Sequence, residues 1–539
     1  MRERSHQGAK QLISIVLIGL AGLWGCADEG AVEIALDFPG AGRLSPDPAR
    51  IASVTVVTTL AGGSPASQTQ SVAPDSALSF GRIPAGVDVD LAVELRSATQ
   101  RLVGFGRAQV KVAAGEQTPI SLAIRKPFVY LPGGDALAAL DATIEGQFSG
   151  PDVVPSGGSA IAAAASRDGT ELWVISDSGG TQTLSMIATA THQQSATAVI
   201  PISGIPVTSL ALSVDGRFAV IGHGGDGGGI SLVDLAAARG GDAATEFHEL
   251  GDVGAVAIAP GPNGSPRAYA LIDRARTPGC DDSALPSTVV WMPLADPSGG
   301  ESFTYDGAIH DFAVTDAGDV AIVADACRNE LRSISLLAPS GDAAADSFLA
   351  VDSASAVAIV GTRVWGAGSS PAAGNRSVIQ LASRDLYDSD ETHISLAPLE
   401  VSVLSLDIAD SEPDGQREVE QRLGADTTAL IDLSVLPGAD QIAVVTSAIY
   451  HESEYYVLVN GFPRLFIPEM EVVTREYLLV DAATAAFVQR LRTSCLITTF
   501  PPPDEDPVLR SWDCVVPPGA HETVVPFLPT AAVALLGSR

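Results

Sequence analysis

The stretch ALSVDGRFAVIGHGGDGGGISLVDL, residues 211–235, decides the fold. It begins with an apolar run, turns at Asp215-Gly216, and continues in a second apolar run through Phe218 and Val220. A glycine-rich segment then leads into a third apolar run. Short apolar runs bounded by glycine and aspartate are typical of β-strands joined by tight turns. The stretch therefore predicts three antiparallel strands of one small sheet.

Variants of this stretch recur from residue 127 to the C-terminus. Their turns, at Asp168, Asp215, Asn263 and Asp316, are spaced by 47, 48 and 53 residues. A period near this length, with about four strands to a repeat, is that of the blades of a β-propeller. Glycine and proline interrupt the sequence too often for a helical solenoid. We therefore predict an all-β chain with a propeller of about seven blades over residues 126–539.

The repeated pattern A-x-S-x-D-G, followed by a V-x-x-x-G strand and a V-x-x-I-D strand, resembles the YVTN-type and lactonase-like β-propellers. The first repeat lacks a leading strand, whereas residues 530–536 have the composition of a spare one. We expect this tail to pair beside the first repeat, because closing the ring removes two exposed sheet edges.

Residues 27–125 have a different character. Apolar residues alternate with others in short runs, such as VDVDLAVEL at residues 87–95, and turn residues separate the runs. Alternation is the mark of half-buried antiparallel strands, so about seven such runs predict an N-terminal β-sandwich. The run FGRIPAGVDVDL, residues 80–91, resembles transthyretin-like and carboxypeptidase-regulatory-like modules. This resemblance implies a spacer or adhesion unit.

The first 26 residues are interpreted as a targeting segment outside the fold. Arg2, Arg4 and Lys10 form a basic start, and the apolar run at residues 12–23 is short for a membrane span. This combination is typical of a signal peptide.

The segment ends in Leu-Trp-Gly-Cys26, which resembles the lipobox of bacterial lipoproteins, although Trp24 departs from the small residue usual at its position. The resemblance implies that Cys26 carries lipid. Ala27 stands where an aspartate would retain the protein at the inner membrane, which implies the outer membrane. The alternative is an ordinary secretory peptide with a chance cysteine. In either case we expect an exported protein.

Composition and charge exclude some partners. Hydrophobic residues make up 46% of the 539 residues and charged residues 18%, which favours a well-buried globular protein over a disordered one. The formal net charge of −33 opposes binding to nucleic acid or to an anionic lipid surface. The acidic balance either keeps an exported protein soluble or serves a basic partner.

Four cysteines remain besides Cys26. Cys280, Cys327, Cys495 and Cys514 form an even set in an oxidising compartment, which suggests two disulfides. Three pairings are open on the sequence alone. We favour Cys495 with Cys514, which closes a local loop, and Cys280 with Cys327, which follow the second strands of successive repeats.

An acidic stretch near residue 410 has the spacing of a calcium loop. Asp410, Glu412 and Asp414 place oxygen ligands at positions 1, 3 and 5, and Gly415 at position 6 permits the sharp turn around a Ca²⁺ ion. Gln421 stands at position 12, where a bidentate glutamate is usual. A solvated acidic loop is the alternative. We expect no other cofactor.

Signs of catalysis are sparse. The eight histidines form no HExxH motif, and no Gly-x-Ser-x-Gly elbow occurs. His310 opens the first strand of its repeat, near the expected central channel. The run GHGGDGGG at residues 222–229 is followed by a strand, whereas a phosphate loop needs a helix, so a hairpin is the better interpretation.

Two insertions interrupt the repeats, at residues 385–425 and 451–476. The second holds the aromatic residues Tyr455, Tyr456, Phe462 and Phe466. Long loops on a rigid ring commonly bind partners, and clustered aromatic residues fit an interface. The alternative is that these rings pack the insertion onto its own blade.

The sequence as a whole favours a lipid-anchored envelope protein whose propeller is a scaffold for an envelope protein or a small ligand. A propeller hydrolase or lactonase-like enzyme is one alternative, with site residues in the channel that spacing does not reveal. A glycan- or polymer-binding adhesin is another. The sequence does not decide whether the protein is an enzyme, but it favours a protein without catalytic activity.

Overall fold

The structure is a computed structural model, and it describes residues 29–40, 42–60, 66–71, 79–134, 136–143, 152–200, 205–242, 245–261, 264–272, 286–297, 300–337, 345–371, 377–396, 401–406, 419–423, 427–436, 441–453, 455–459, 462–467, 469–482, 484, 487–493, 496–500, 511–515, 524–525 and 533–534. The chain divides into two compact units, one formed mainly by residues up to Pro127 and the other by nearly all of the rest. Each unit has its own sheets.

The N-terminal unit contains two sheets. Their strand orders are β4-β1-β7, with β1 parallel to β7, and β3-β2-β5-β6, which is antiparallel. The elements are β1 (Glu29–Asp37), the 3₁₀ turns Gly42–Leu44 and Pro48–Arg50, β2 (Ser53–Leu60), β3 (Ala66–Ser71), β4 (Ser79–Pro84), β5 (Asp88–Arg96), β6 (Leu102–Lys111) and β7 (Gln117–Ala123).

Both sheets of this unit contribute to one apolar core. Val32 and Ile34 come from β1, and Val54 and Leu91 come from β2 and β5. The predicted alternation holds in β5, where Leu91 and every second residue around it are buried. The resemblance to transthyretin-like and carboxypeptidase-regulatory-like sandwiches stays a prediction.

The second unit contains seven four-stranded antiparallel blades, each numbered here with its first strand innermost and its fourth outermost. Blades 1 to 3 are β42 (Val533–Ala534), β8 (Phe128–Gly133), β9 (Ala136–Asp141) and β10 (Asp152–Pro155); β11 (Ser159–Ala165), β12 (Glu171–Ser178), β13 (Thr181–Ala188) and β14 (Gln193–Val199); and β15 (Val207–Leu212), β16 (Phe218–His223), β17 (Gly229–Asp234) and β18 (Thr245–Glu249), with helix α1 (Leu235–Arg239) before β18.

Blades 4 to 7 follow in sequence order. They are β19 (Val253–Pro260), β20 (Pro266–Ile272), β21 (Ser287–Pro293) and β22 (Glu301–Tyr305); β23 (Ile309–Val314), β24 (Val320–Asp325), β25 (Glu330–Ser335) and β26 (Ala345–Ala350); β27 (Ala354–Val360), β28 (Arg363–Pro371), β29 (Ser377–Asp385) and β30 (Glu391–Leu396); and β33 (Thr427–Val435), β34 (Gln441–Glu452), β37 (Glu469–Asp481) and β38 (Phe487–Thr493).

The ring closes as the sequence predicts. The innermost strands contact one another in the cyclic order β42, β11, β15, β19, β23, β27, β33 and again β42. Val533 pairs with Tyr130 and Ala534 with Val129, so the C-terminal tail supplies the strand that the first repeat lacks. An apolar cluster that includes Leu140 and Leu479 joins blades 1 and 7. The fold is therefore a closed β-propeller of seven blades.

The central strands of each blade read as continuous apolar runs because neighbouring blades cover both faces of the sheet. In β12, Leu172, Trp173, Val174 and Ile175 are all fully buried. Burying a side chain of this size stabilises the fold by about 2 kcal/mol. This double burial explains why β12 does not alternate between apolar and polar residues.

The turns between first and second strands repeat one geometry. In blade 3 the Ser213 hydroxyl accepts the backbone N–H groups of Arg217 and Phe218, and Gly216 has a positive φ that permits the turn. The equivalent glycines are Gly169, Gly216, Gly264 and Gly318. The predicted equivalence of Asp316 is therefore off by one residue, because Ala317 precedes the glycine in blade 5.

Seven strands lie outside the four-strand blade pattern or extend it, and all follow blade 6 or belong to blade 7 in sequence. A three-stranded sheet has the order β32-β31-β40, and a hairpin pairs β35 with β36. The strands are β31 (Val401–Leu406), β32 (Val419–Leu423), β35 (Tyr455–Val459), β36 (Phe462–Ile467), β39 (Leu496–Phe500), β40 (Ser511–Val515) and β41 (Val524–Val525).

Candidate functional site

The end of the ring at which the innermost strands begin carries its most variable connections. At this end, which we call the entry end, the second strand of each blade joins the third. Blade 2 uses only Gly179-Gly180, whereas blade 7 uses residues 453–468 and includes the β35–β36 hairpin. Loops of different length on a uniform scaffold are where a propeller acquires binding specificity.

Blade 7 is extended toward the entry end. Its central strands β34 and β37 have 12 and 13 residues and pair from Gln441↔Asp481 to Glu452↔Met470. β39 pairs with the first half of β37, and β38 pairs with the second half. The predicted insertion at residues 451–476 is therefore shorter in the structure. Its first two residues end β34, and residues 469–476 belong to β37.

The four predicted aromatic residues all lie on the β35–β36 hairpin. Tyr456 pairs with Phe466, so these two positions share one face, and neighbouring Tyr455 lies on the other. Phe462 pairs with Val459 at the turn end. The structure thus brings two of the four aromatic positions together rather than all four.

The predicted insertion at residues 385–425 also divides. Asp385 ends β29, and β30 completes blade 6. β31 and β32 then form a sheet with β40, in which Val403 is opposite Cys514. The calcium candidates Asp410, Glu412 and Asp414 lie outside the described residues, so the Ca²⁺ site stays a prediction.

The cysteines are described only in part. Cys327, in the turn between the second and third strands of blade 5, is disulfide-bonded. Cys26, Cys280 and Cys495 lie outside the described residues, and only the backbone of Cys514 is described. The pairings Cys280 with Cys327 and Cys495 with Cys514 therefore stay predictions.

A buried carboxylate supports this same turn. Asp325, fully buried, accepts a hydrogen bond of 2.6 Å from the Tyr305 hydroxyl and one of 2.8 Å from Nη1 of Arg328. Its other oxygen accepts the Arg328 backbone N–H at 3.0 Å. Burial, together with the bond to Asp325, raises the pKa of Tyr305. The cluster joins the last strand of blade 4 to blade 5, which gives this buried carboxylate a structural role.

A serine and a histidine that sequence reasoning missed meet in blade 3. Nε2 of His223 lies 2.8 Å from Oγ of Ser231, and both residues are fully buried. Burial lowers the pKa of His223 to about 4, and a backbone contact with Ile205 acts in the opposite direction. A nucleophile and base must be reached by substrate, so this pair is structural.

These buried groups occupy equivalent places. Ser176, His223, Asp325 and Thr446 all lie opposite the residue just before the bulge in the innermost strand. The first three lie near the end of a second strand, whereas Thr446 lies in the middle of the longer β34. Each is at most 1% exposed. For Ser176, His223 and Asp325, the sequence signal is a polar residue at or near the end of an otherwise apolar second strand.

The glycine-rich run at residues 222–229 forms a hydrogen-bonded hairpin. The Gly225 N–H donates to Asp252 at 2.5 Å, and the Gly228 carbonyl accepts from Leu250 and Gly251. A Cβ on Gly229 would lie 2.1 Å from the His248 carbonyl oxygen, so glycine is required by close backbone packing. The run has no helix after it and is not a phosphate cradle.

Six innermost strands carry a one-residue bulge near their start. The bulged residues are Ile161, Thr208, Gly254, His310, Ser355 and Ile431. Thr208 donates to the Val253 carbonyl at 2.8 Å, and Asp311 accepts the Val357 N–H at 3.1 Å. These side chains satisfy backbone groups of the next innermost strand, which gives them a structural role at the axis.

No three His, Cys, Asp or Glu residues in the described part of the chain are placed to hold a metal ion. Across the same residues, no helix has both the length and the apolar character of a membrane span.

The fold and the extended blade define the class of protein. It is a seven-bladed β-propeller with added strands on one blade, preceded by a smaller unit of two β-sheets. This assignment rests on the strand pairing and ring closure described above.

Comparison with known proteins adds little to this class. No family model and no curated protein sequence matches the chain. Solved structures it resembles include the Cps50 (Swd1) β-propeller domain from Myceliophteria_thermophila, at 10% identity and a TM-score of 0.36 over 62% of this chain and 86% of that one. Dihydro-heme d1 dehydrogenase NirN matches at 16% identity and a TM-score of 0.36, over 68% of this chain and 73% of that one. TolB from Acinetobacter baumannii matches at 12% identity and a TM-score of 0.32, over 58% of this chain and 78% of that one.

Proposed function

We propose that this protein is a protein-binding scaffold, anchored to the bacterial envelope, whose partner docks on the extension of blade 7. The observation that carries the proposal is the concentration of added strands in one sector of an otherwise regular ring. β35, β36 and β39 all attach to the long strands β34 and β37 or to the connection between them. Closure of the ring does not require these strands, so we assign them to binding.

The chemistry of the described residues supports binding over catalysis. The Ser231–His223 pair is buried, the buried Asp325 carboxylate accepts from Tyr305 and Arg328, and Asp311 accepts a backbone N–H. None of these arrangements offers an accessible nucleophile or base. In the β35–β36 hairpin, position Tyr456 pairs with position Phe466, and aromatic residues are enriched where proteins bind one another.

The envelope anchor rests on the N-terminal sequence. Residues 1–26 resemble a lipoprotein signal that ends at Cys26. We therefore place the protein at the outer membrane through a lipid on Cys26. Cys26→Ser should release the exported protein from the membrane fraction and abolish labelling with a fatty-acid analogue. If Cys26→Ser stayed in the membrane fraction and still took up the label, the lipid anchor would be contradicted.

Docking is tested by chemical crosslinking of the full chain in cells, followed by mass spectrometry. One variant replaces residues 455–467 by a Gly-Ser linker of equal length, and a control replaces residues 338–344 in blade 5 in the same way. We expect one dominant partner with the natural chain and the control, and its loss with the hairpin variant. Equal capture by both variants would contradict docking at blade 7.

A further inference from the structure

The outermost strands of the blades differ in how their free edges are protected. An unpaired edge invites pairing with another chain, and proteins discourage this with charges, proline or a covering element. The outermost strands of blades 3 to 6 each include a charged residue, and β10 contains Asp152 and Pro155. β14 carries no charge, but helix α1 packs against it.

β39 carries no protective residue in its own sequence. Its sequence, Leu-Ile-Thr-Thr-Phe, contains no charge, proline or glycine and consists of residues that favour strands. It pairs with β37 on one side, and no strand in the described ranges pairs with its other side. Thr498 is exposed and Ile497 is half-buried, so the strand is accessible.

The position of this edge ties it to the proposed docking region. β39 pairs with residues Glu469–Val473 at the start of β37, directly after the β35–β36 hairpin in sequence. The neighbouring β38 carries Arg490 and Arg492 and pairs with β41. Among the described residues, the outer edge is therefore unprotected at β39 and protected at the neighbouring β38.

We propose that the outer edge of β39 binds an extended, positively charged segment of the partner protein by strand addition. The inference rests on the proposed function and specifies its mode of recognition. Backbone hydrogen bonds to residues 496–500 supply affinity, as in other cases of strand addition.

The net charge of the propeller determines which kind of partner segment is attracted to this edge. Residues 128–539 contain 53 acidic and 19 basic residues, a net charge of −34. Glu469, next to the edge on β37, is exposed, and Glu471 is half-buried. An acidic segment would be repelled by this field, whereas a basic one gains attraction and a faster association rate.

The test uses three probe peptides on the full mature chain, with hydrogen–deuterium exchange as the readout. The first is acetyl-KVTVKVTV-amide. The second has glutamate in place of lysine, and the third is the first peptide N-methylated at alternate residues so that it cannot form a ladder. We expect the first to slow exchange at residues 496–500 about tenfold and the other two to leave it unchanged. Residues 193–199 of β14 are the internal control.

A pair of variants tests the edge itself. Thr498→Lys restores a protecting charge at an exposed position and should abolish protection by the first peptide. Ser195→Lys, at an exposed position on β14, should leave it intact. Melting temperatures equal to that of the natural chain establish that both variants fold.

Several results would overturn the inference: no protection at residues 496–500, equal protection by the N-methylated peptide, or protection confined to residues 455–459 of the hairpin. Protection that depends on protein concentration without peptide would assign the edge to a second copy and also overturn it. Partner capture that needs the hairpin but survives Thr498→Lys would refute strand addition while leaving the scaffold function standing.

Discussion

Arg167 and Asp316 form an ion pair across the axis of the ring, with Nη2 of Arg167 3.4 Å from Oδ2 of Asp316. Arg167 lies in the first turn of blade 2, and Asp316 lies in the first turn of blade 5, three blades further around the ring. The two turns meet at the end opposite the entry end. The ion pair therefore links two blades that are not neighbours in the ring.

This ion pair should contribute little to stability. Asp316 is 62% exposed and Arg167 24%, and exposed pairs are screened by solvent. A double-mutant cycle with Arg167→Ala and Asp316→Ala should give a coupling below about 1 kcal/mol that disappears in 1 M salt. A larger coupling that persists in salt would show that the turns are held more rigidly than the exposure implies.

Removing the closing strand should disrupt the whole ring. Deletion of residues 529–539 takes away β42 and leaves the edges of β8 and its partners open. We expect a lower melting temperature and a broader transition, measured by circular dichroism. Deletion of residues 537–539 alone spares β42 and is the matched control. Identical melting of both truncations would contradict closure by the C-terminus.

Acid should destabilise blade 3 through His223. Its pKa is about 4 in the fold and 6.5 when unfolded, so the unfolded chain binds more protons between these values. The stabilisation is present above pH 6.5 and is lost as the pH falls toward 4, by on the order of 3 kcal/mol. Urea unfolding of His223→Gln should show a smaller decline over this window. His393→Gln, at an exposed site, should keep the natural pH dependence.

The buried carboxylate of blade 5 should matter more than the exposed charges around it. Asp325→Ala leaves the Tyr305 hydroxyl and the Arg328 guanidinium without their acceptor, at a cost of about 3 kcal/mol. Tyr305→Phe removes two hydrogen bonds, the one donated to Asp325 and the one accepted from Nη1 of Arg328, and should cost about 2 kcal/mol. Asp306→Ala, at a fully exposed side chain, should change the free energy of unfolding little. Equal effects of Asp325→Ala and Asp306→Ala would refute the cluster.

The sequence predicts the ring because its signals are local. Turns such as Asp215-Gly216 and short apolar runs mark strands without knowledge of their neighbours. The closing tail is recognisable because the first repeat lacks a strand. A polar residue at the end of an apolar run marks His223 and Asp325 in the sequence, but their burial depends on what covers them in the folded blade.

The ends of the extended strands of blade 7 also depend on contacts with neighbouring strands rather than on local sequence. Residues 469–476 continue the pairing of β37 with β34 beyond the usual blade length, and register over such a distance is set by the partner strand. Adjacent Tyr455 and Tyr456 looked like one aromatic cluster in the sequence. In a strand they take opposite faces, so only Tyr456 shares a face with Phe466.

Site-specific photo-crosslinking tests the central claim most directly. Benzoylphenylalanine replaces Tyr456 on the hairpin in one variant and Tyr387 in another. Tyr387 is 64% exposed in the connection between the third and fourth strands of blade 6, away from the entry end. We predict a discrete adduct with one envelope protein from position 456 and none from position 387. An adduct from position 387 alone would contradict docking on blade 7.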